Sequence, residues 1–167
     1  GYSSAASDVY KRQVQSPFNA YLSLVGLETL PQRVSQQVVS AQRIAEHLTS
    51  APHVTKVNYS GLGYTPQYEL VGKYFPRGVG QILSFQVDGG ADSVRRIIDG
   101  TKLFSYVPNI GDARSLIVDP ARITHREVPA EARIAAGVSD NLIRLSIGLE
   151  DVNDLIADLD QAIAAAY

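Results

Sequence analysis

The chain has 167 residues, 45% hydrophobic and 19% charged, which suits one folded domain or one lobe of a larger protein and excludes a multi-domain machine or a disordered tract. Fifteen basic against seventeen acidic residues leave a net charge of −2 with no long run of either sign, a poor match to a nucleic-acid backbone. No stretch approaches the roughly 18 consecutive apolar residues of a membrane span, and there are no cysteines for disulfides, thiolate catalysis or zinc–cysteine sites, so a cytoplasmic location is the default expectation.

The first segment stands apart from the rest. Methionine is absent throughout, and Ser3 to Gln13 (SSAASDVYKRQ) reads, codon for codon, as the translation of a transposase sequencing-library adaptor. Residues 1–13 are therefore expected to be a non-native scar, and 14–167 a fragment of a longer protein. Pro31 at a first turn, with Val34, Val38, Ala41, Ala45 and Leu48 three and four apart, predicts an amphipathic helix over about 31–49. Pro52 ends it, and Val54 to Tyr59 reads as a strand closed by Ser60-Gly61. A Gly/Pro/Tyr-rich stretch leads to a short helix over about 67–74, broken at Pro76-Arg77-Gly78.

Gln81 to Val87 has the residue types of a strand and ends at the turn signal Asp88-Gly89-Gly90. A helix over about 91–99 follows, with Val94, Ile97 and Ile98 inward. Leu103 to Val107 and Ser115 to Val118 are short strand candidates beside the least regular segment, Pro108 to His125. Pro129 to Ala136 is a brief helix stopped by Gly137, and Leu142 to Gly148 the last strand. A final helix over about 151–165 turns Val152, Leu155, Ile156, Leu159 and Ile163 to one side and Asp154, Asp158 and Asp160 elsewhere. Three or four main strands interleaved with helices predict an α+β fold, a mixed sheet with helices mainly on one face.

Motif chemistry is mostly negative. Neither Gly61-Leu62-Gly63 nor Gly78-Val79-Gly80 completes a dinucleotide-binding fingerprint, and His47, His53 and His125 lack metal-ligand spacing. Lys56, Lys73 and Lys102 sit in no recognisable Schiff-base context. The residue that stands out is Arg144, because alternation along Leu142 to Gly148 sends Ile143, Leu145 and Ile147 to one face and Arg144 and Ser146 to the other. A guanidinium on a strand is a rigid fork suited to a carboxylate or phosphate; the alternative, which pattern alone favours, is an arginine on a solvated face paired with a surface acid. Asn109 before Gly111-Asp112 marks a tight turn that offers polar groups to a ligand, or an Asx turn with none. Thr124-His125 is a weaker third candidate.

Four strings together resemble the C-terminal part of the Cys/Met-metabolism pyridoxal-phosphate enzymes: Ser16-Pro17-Phe18-Asn19-Ala20-Tyr21-Leu22, Gly26-Leu27-Glu28-Thr29-Leu30, Gly111-Asp112-Ala113-Arg114-Ser115-Leu116, and Ile143 through Asp151. Asn19, Glu28 and Asn109 are more similar to the O-acetylhomoserine sulfhydrylase branch than to cystathionine γ-synthase or the γ-lyases. The resemblance implies the small C-terminal, substrate-binding lobe of a fold-type-I enzyme. The pyridoxal 5'-phosphate domain, with its Schiff-base lysine, is missing, so the chain alone is expected to be inactive. The parent reaction it implies is γ-replacement, homocysteine or a thioether from O-acetylhomoserine and sulfide or a thiol, in a homo-oligomer, commonly a tetramer.

On that resemblance Arg144 clamps the substrate α-carboxylate, Asn109 lies beside it, and Thr124 supports the arginine from behind. Asp119, Arg122 and Ile123 depart from the family's usual pattern, adding two charges near the site. The competing expectation is a freestanding α+β module in which Arg144 and Asn109 bind an amino-acid effector without chemistry.

Overall fold

A computed structural model describes residues 15–66 and 68–167; the adaptor-like string lies outside the described residues. The chain divides into two compact units at Arg33/Val34. In the first, helix α1 (Pro17–Glu28) starts where Ser16 Oγ accepts a hydrogen bond from Asn19 N at 3.3 Å and Pro17 occupies the first turn. Sequence analysis assigned no element here, for a physical reason. Phe18, Tyr21, Leu22, Leu24, Val25 and Leu27 fall all round the helix, so no stripe with a period of 3.6 stands out, and all six are exposed. Arg33 closes the unit by donating from Nη2 to Gly26 O at 2.8 Å and from Nη1 to the Thr29 hydroxyl.

The remaining elements are α2 (Leu30–Leu48), β1 (Val54–Asn58), α3 (Tyr68–Tyr74), β2 (Ile82–Val87), α4 (Ala91–Gly100), β3 (Ser105–Tyr106), β4 (Leu116–Val118), α5 (Ala130–Ala135), β5 (Leu142–Ser146) and α6 (Val152–Ala166). The sheet is mixed, as expected, and has five strands in the order β1-β2-β5-β4-β3; only β3 and β4 are parallel. Two of the five are short, which is why the sequence shows three or four main strands.

One sheet face carries the core. Val57, Leu83, Phe85, Val87, Ile117, Ile143 and Leu145 pack with Ile44 and Leu48 of α2, Val94 and Ile97 of α4, and Leu155 and Leu159 of α6. Each fully buried Leu, Ile or Phe contributes about 1.5–3 kcal/mol. The buried stripe of α2 is Gln37, Ser40, Ala41, Ile44, Ala45 and Leu48, rotated from the expected one so that Val34 is exposed. Asp158, read from sequence as part of the polar side of the last helix, is also buried. Its carboxylate accepts Lys102 N at 2.9 Å and Leu103 N at 2.8 Å, which ties α6 to the end of α4. Among the described residues no helix is long and apolar enough to cross a membrane.

The opposite face is defined by register. Arg144 on β5 stands across from Ser84 on β2 and Val118 on β4, and Ser146 across from Ile82 and Leu116. Directly opposed residues share a face, so Ser84, Arg144 and Ser146 line the side away from the helical core. Because β3 and β4 are parallel, the chain between them must travel back along the sheet, and that return segment, 107–115, reaches the polar face of β5.

Candidate functional site

The centre of the site is Arg144. It is only half-buried as a residue, yet its Nε is shielded from solvent and has no hydrogen-bond partner among the described residues. Nη2 donates to Asn109 O at 3.1 Å. Burial pulls its pKa down from the ordinary arginine value without removing the charge. A cationic donor held in a poorly solvated position without an acceptor costs roughly 1–3 kcal/mol, and a planar guanidinium has the chemistry to accommodate an anionic group at its remaining donors.

The segment facing it is tied down at several points. Asn109 N donates to Val107 O at 2.9 Å, and Gly111, at φ +76°, turns its N–H onto Ser146 Oγ at 3.2 Å. A side chain at 111 strains that left-handed turn, which is what a glycine avoids. Gln37 of α2, only 3% exposed, donates from Nε2 to Asp112 O at 2.9 Å. Asp112 accepts Arg114 N at 3.0 Å and the Arg114 guanidinium at 3.2 Å, contacts that hold its carboxyl below the usual carboxylate range.

A second lock joins this segment to the end of β5. Buried Ser115 donates its hydroxyl to Glu150 Oε2 at 2.8 Å and its N–H to Oε1 at 2.8 Å, while accepting Gly148 N at 2.8 Å. Leu149 N donates to Ala113 O at 2.8 Å, and a Cβ on Gly148 falls 2.5 Å from that same oxygen, so only glycine permits the approach. Asp151 then caps α6 by accepting Asn153 N at 2.8 Å. The strings Gly111 to Leu116 and Ile143 to Asp151 are thus two halves of one hydrogen-bonded structure.

The structure brings Arg144 and Asn109 together directly. The Asn109 side chain is exposed and makes no hydrogen bond among the described residues, while its carbonyl takes the guanidinium. Thr124 belongs to a separate turn: its hydroxyl donates to Pro120 O at 3.2 Å and lies 2.8 Å from His125 Nδ1. The two charges flagged in the sequence face each other there. Asp119, 2% exposed, accepts the Tyr106 hydroxyl at 2.6 Å, with Arg122 Nε 3.7 Å away as an electrostatic neighbour. Although Tyr106 is 48% exposed, burial of its hydroxyl and then Asp119 push its pKa to about 12.

Gln37 and the Ser115–Glu150 pair escaped sequence reasoning. The available signal for Gln37 was its place at i, i+4, i+7 and i+11 with Ala41, Ile44 and Leu48, an inward position where an amide needs a partner. The histidines that lack metal spacing each have other partners. His47 Nε2 lies 2.8 Å from Asp160, and His53 Nδ1 3.0 Å from Asp88, with the His53 ring stacked 3.8 Å from Tyr167.

Arg144, its loop and the lock behind it are assembled from two of the strings that carried the family resemblance, and comparison with known proteins points the same way. Residues 9–164 match the model of the Cys/Met metabolism PLP-dependent enzymes. The O-acetyl-L-homoserine sulfhydrylase of Leptospira meyeri is 42% identical over 149 residues, 89% of this chain and 34% of that protein. Among solved structures, an O-acetylhomoserine (thiol)-lyase of Campylobacter jejuni, determined with a pyridoxyl-lysine phosphate, superposes with a TM-score of 0.84 at 42% identity, covering 89% of this chain and 35% of that one. Cystathionine gamma-lyase from yeast gives 0.87 at 41%, covering 92% and 39%. The chain therefore spans little more than a third of the length of the relatives it matches, and within that span the match over residues 9–164 and the shared fold place it in the Cys/Met metabolism PLP-dependent enzyme family.

Proposed function

We propose that residues 14–167 are the C-terminal, substrate-binding domain of an O-acetylhomoserine sulfhydrylase-like transferase, whose large cofactor-binding domain lies outside this chain. The parent joins O-acetylhomoserine with sulfide or a thiol to make homocysteine or a thioether. The observation that carries this reading is the guanidinium of Arg144, which among the described residues is spent once on Asn109 O and otherwise lacks an acceptor. In it the free edge of Arg144 takes the substrate α-carboxylate through two parallel charge-assisted hydrogen bonds, and the Asn109 carboxamide contacts the same end of the substrate. Thr124, held in the 120–125 turn, steadies the segment behind them.

These donors fit an amino-acid carboxylate rather than the cofactor itself. Lys56 stands on β1, Lys73 lies over the Tyr74 ring in α3 and Lys102 follows α4, so none of these three joins the Arg144 hydrogen bonds. When bound, pyridoxal phosphate supplies the electron sink that lets acetate leave and the sulfur nucleophile add. This chain's part is to orient the substrate, worth several kcal/mol of barrier when the geometry is held. The exposed Phe18, Tyr21, Leu22, Leu24, Val25 and Leu27 support burial of α1 in a larger assembly, and a cytoplasmic homo-oligomer belongs to the same proposal; they count against a freestanding effector-binding module.

The test is a chimera in which this chain replaces the corresponding third of the Leptospira meyeri enzyme, assayed for homocysteine formation from O-acetyl-L-homoserine and sulfide. Turnover supports the reading. A folded, cofactor-loaded chimera without turnover, or one selective for another amino acid, contradicts it.

A further inference from the structure

The Arg144 loop is not held by Arg144. The guanidinium touches it at a single atom, Asn109 O, whereas two buried side chains from different elements fix it on either side of the turn: Ser146 (1% exposed) at Gly111 N and Gln37 (3% exposed) at Asp112 O. Neither is available to a ligand. Ser146 shares the polar face of β5 with Arg144, two residues away, so it fixes the height of the loop above the same strand. Gln37 projects from α2, whose neighbouring Ala41, Ile44 and Leu48 are immobilised in the core. Its amide makes no other hydrogen bond among the described residues, so its burial is compensated by the loop staying in place.

We propose that Gln37 and Ser146 are positioning residues for carboxylate recognition. By anchoring Gly111 and Asp112 they place the Asn109 carbonyl against one edge of the guanidinium and so leave the other edge set for the substrate. The inference rests on Arg144 being the carboxylate anchor. A rigid fork gains affinity only if it is held before the ligand arrives; a loop free to swing lets Arg144 adopt other rotamers, and ordering it again on binding weakens the complex.

The experiment follows the Arg144 Nε–H resonance in the isotope-labelled chimeric enzyme during titration with O-acetyl-L-homoserine in the absence of sulfide. The variants are Gln37→Leu, Gln37→Glu, Ser146→Ala and Arg144→Lys, with Ile44→Val as a control that weakens α2 packing without touching the loop. Gln37→Leu keeps the side-chain volume without a donor, so it remains informative where the charged variant fails to fold. The expected result is a Kd raised roughly five- to tenfold in Gln37→Leu and in Ser146→Ala, the size of one lost hydrogen bond, with faster solvent exchange of the Arg144 Nε–H in the ligand-free chimera. Ile44→Val lowers stability with Kd unchanged. Binding by Gln37→Leu and Ser146→Ala within about twofold of the parent overturns the positioning role while leaving Arg144 as anchor. An Arg144 resonance that does not move at saturating ligand in the otherwise unmodified chimera overturns the anchor itself, and this inference with it.

Discussion

Replacing Glu150 tests whether the two motif strings are one structure. Its carboxylate accepts both the N–H and the hydroxyl of Ser115, which is fully buried, and the same hydroxyl accepts Gly148 N. Each of the two bonds to the carboxylate is charge-assisted, about 1.5–3 kcal/mol before solvent competes. Glu150 is only partly buried, so in Glu150→Ala water reaches some of the vacated donors, and we expect a loss of about 3 kcal/mol rather than the sum. Glu150→Gln keeps one acceptor but sets an NH₂ against a donor, for about 1–2 kcal/mol. Ser115→Ala removes the acceptor of the buried Gly148 N–H and costs a similar 1–3 kcal/mol. The double variant falls short of the sum by about 1–2 kcal/mol, because the shared bond can be lost only once. Urea denaturation followed by circular dichroism reads all four. A Glu150→Ala chain within about 0.5 kcal/mol of the parent, or strict additivity, refutes the lock.

Other expectations follow from the same contacts. Tyr59, which is buried with its hydroxyl on Gly80 O at 2.9 Å, and Tyr106, which donates to Asp119, both have pKa values pushed to about 12. Their contribution is complete below the unfolded tyrosine value of about 10 and is lost as the pH rises from there through about 12; an ultraviolet titration should show both ionising late, with Tyr106→Phe removing one. The Asp88 carboxyl is held low by its hydrogen bond to His53 and then by Tyr167. A depressed carboxylate stabilises above its unfolded pKa, about 4, and the contribution disappears as the pH falls through the lower folded value, so His53→Ala should flatten acid-side thermal melts; unchanged slopes count against the contact. The apolar side chains exposed along α1 predict that the isolated chain binds a hydrophobic dye and self-associates, and that Leu22→Glu with Leu24→Glu diminishes both. A monodisperse, dye-free chain contradicts burial of α1 in the parent.

Where an element has a clean period, its role is readable from the chain. Alternation in β5 separates Ile143 and Leu145 from Arg144 and Ser146, and the structure keeps that separation. Helix α4 likewise buries Val94, Ile97 and Ile98. Helix α1 was illegible because its apolar residues do not choose a side; a helix whose hydrophobic surface is buried by something outside the described chain need not show an amphipathic stripe. The site was half legible. Arg144 and Asn109 are recognisable by residue type, but the bonds that hold them span large sequence separations, from Gln37 to Asp112 and from Ser115 to Glu150. Helical spacing marks Gln37 as inward-facing, but polar pairing at such range leaves no local signature of the partner. Asp119 and Arg122 looked like additions to the binding site, yet Asp119 is directed to Tyr106, with Arg122 beside it, rather than to Arg144.

Arg144→Ala and Arg144→Lys, placed in the chimeric enzyme and measured against O-acetyl-L-homoserine, test the central claim most directly. If the fork holds the α-carboxylate, alanine lowers kcat/KM by about 10²-fold, equivalent to roughly 3 kcal/mol, and lysine recovers only part because it keeps the charge without the bidentate geometry. Kinetics unchanged by either substitution contradict the account.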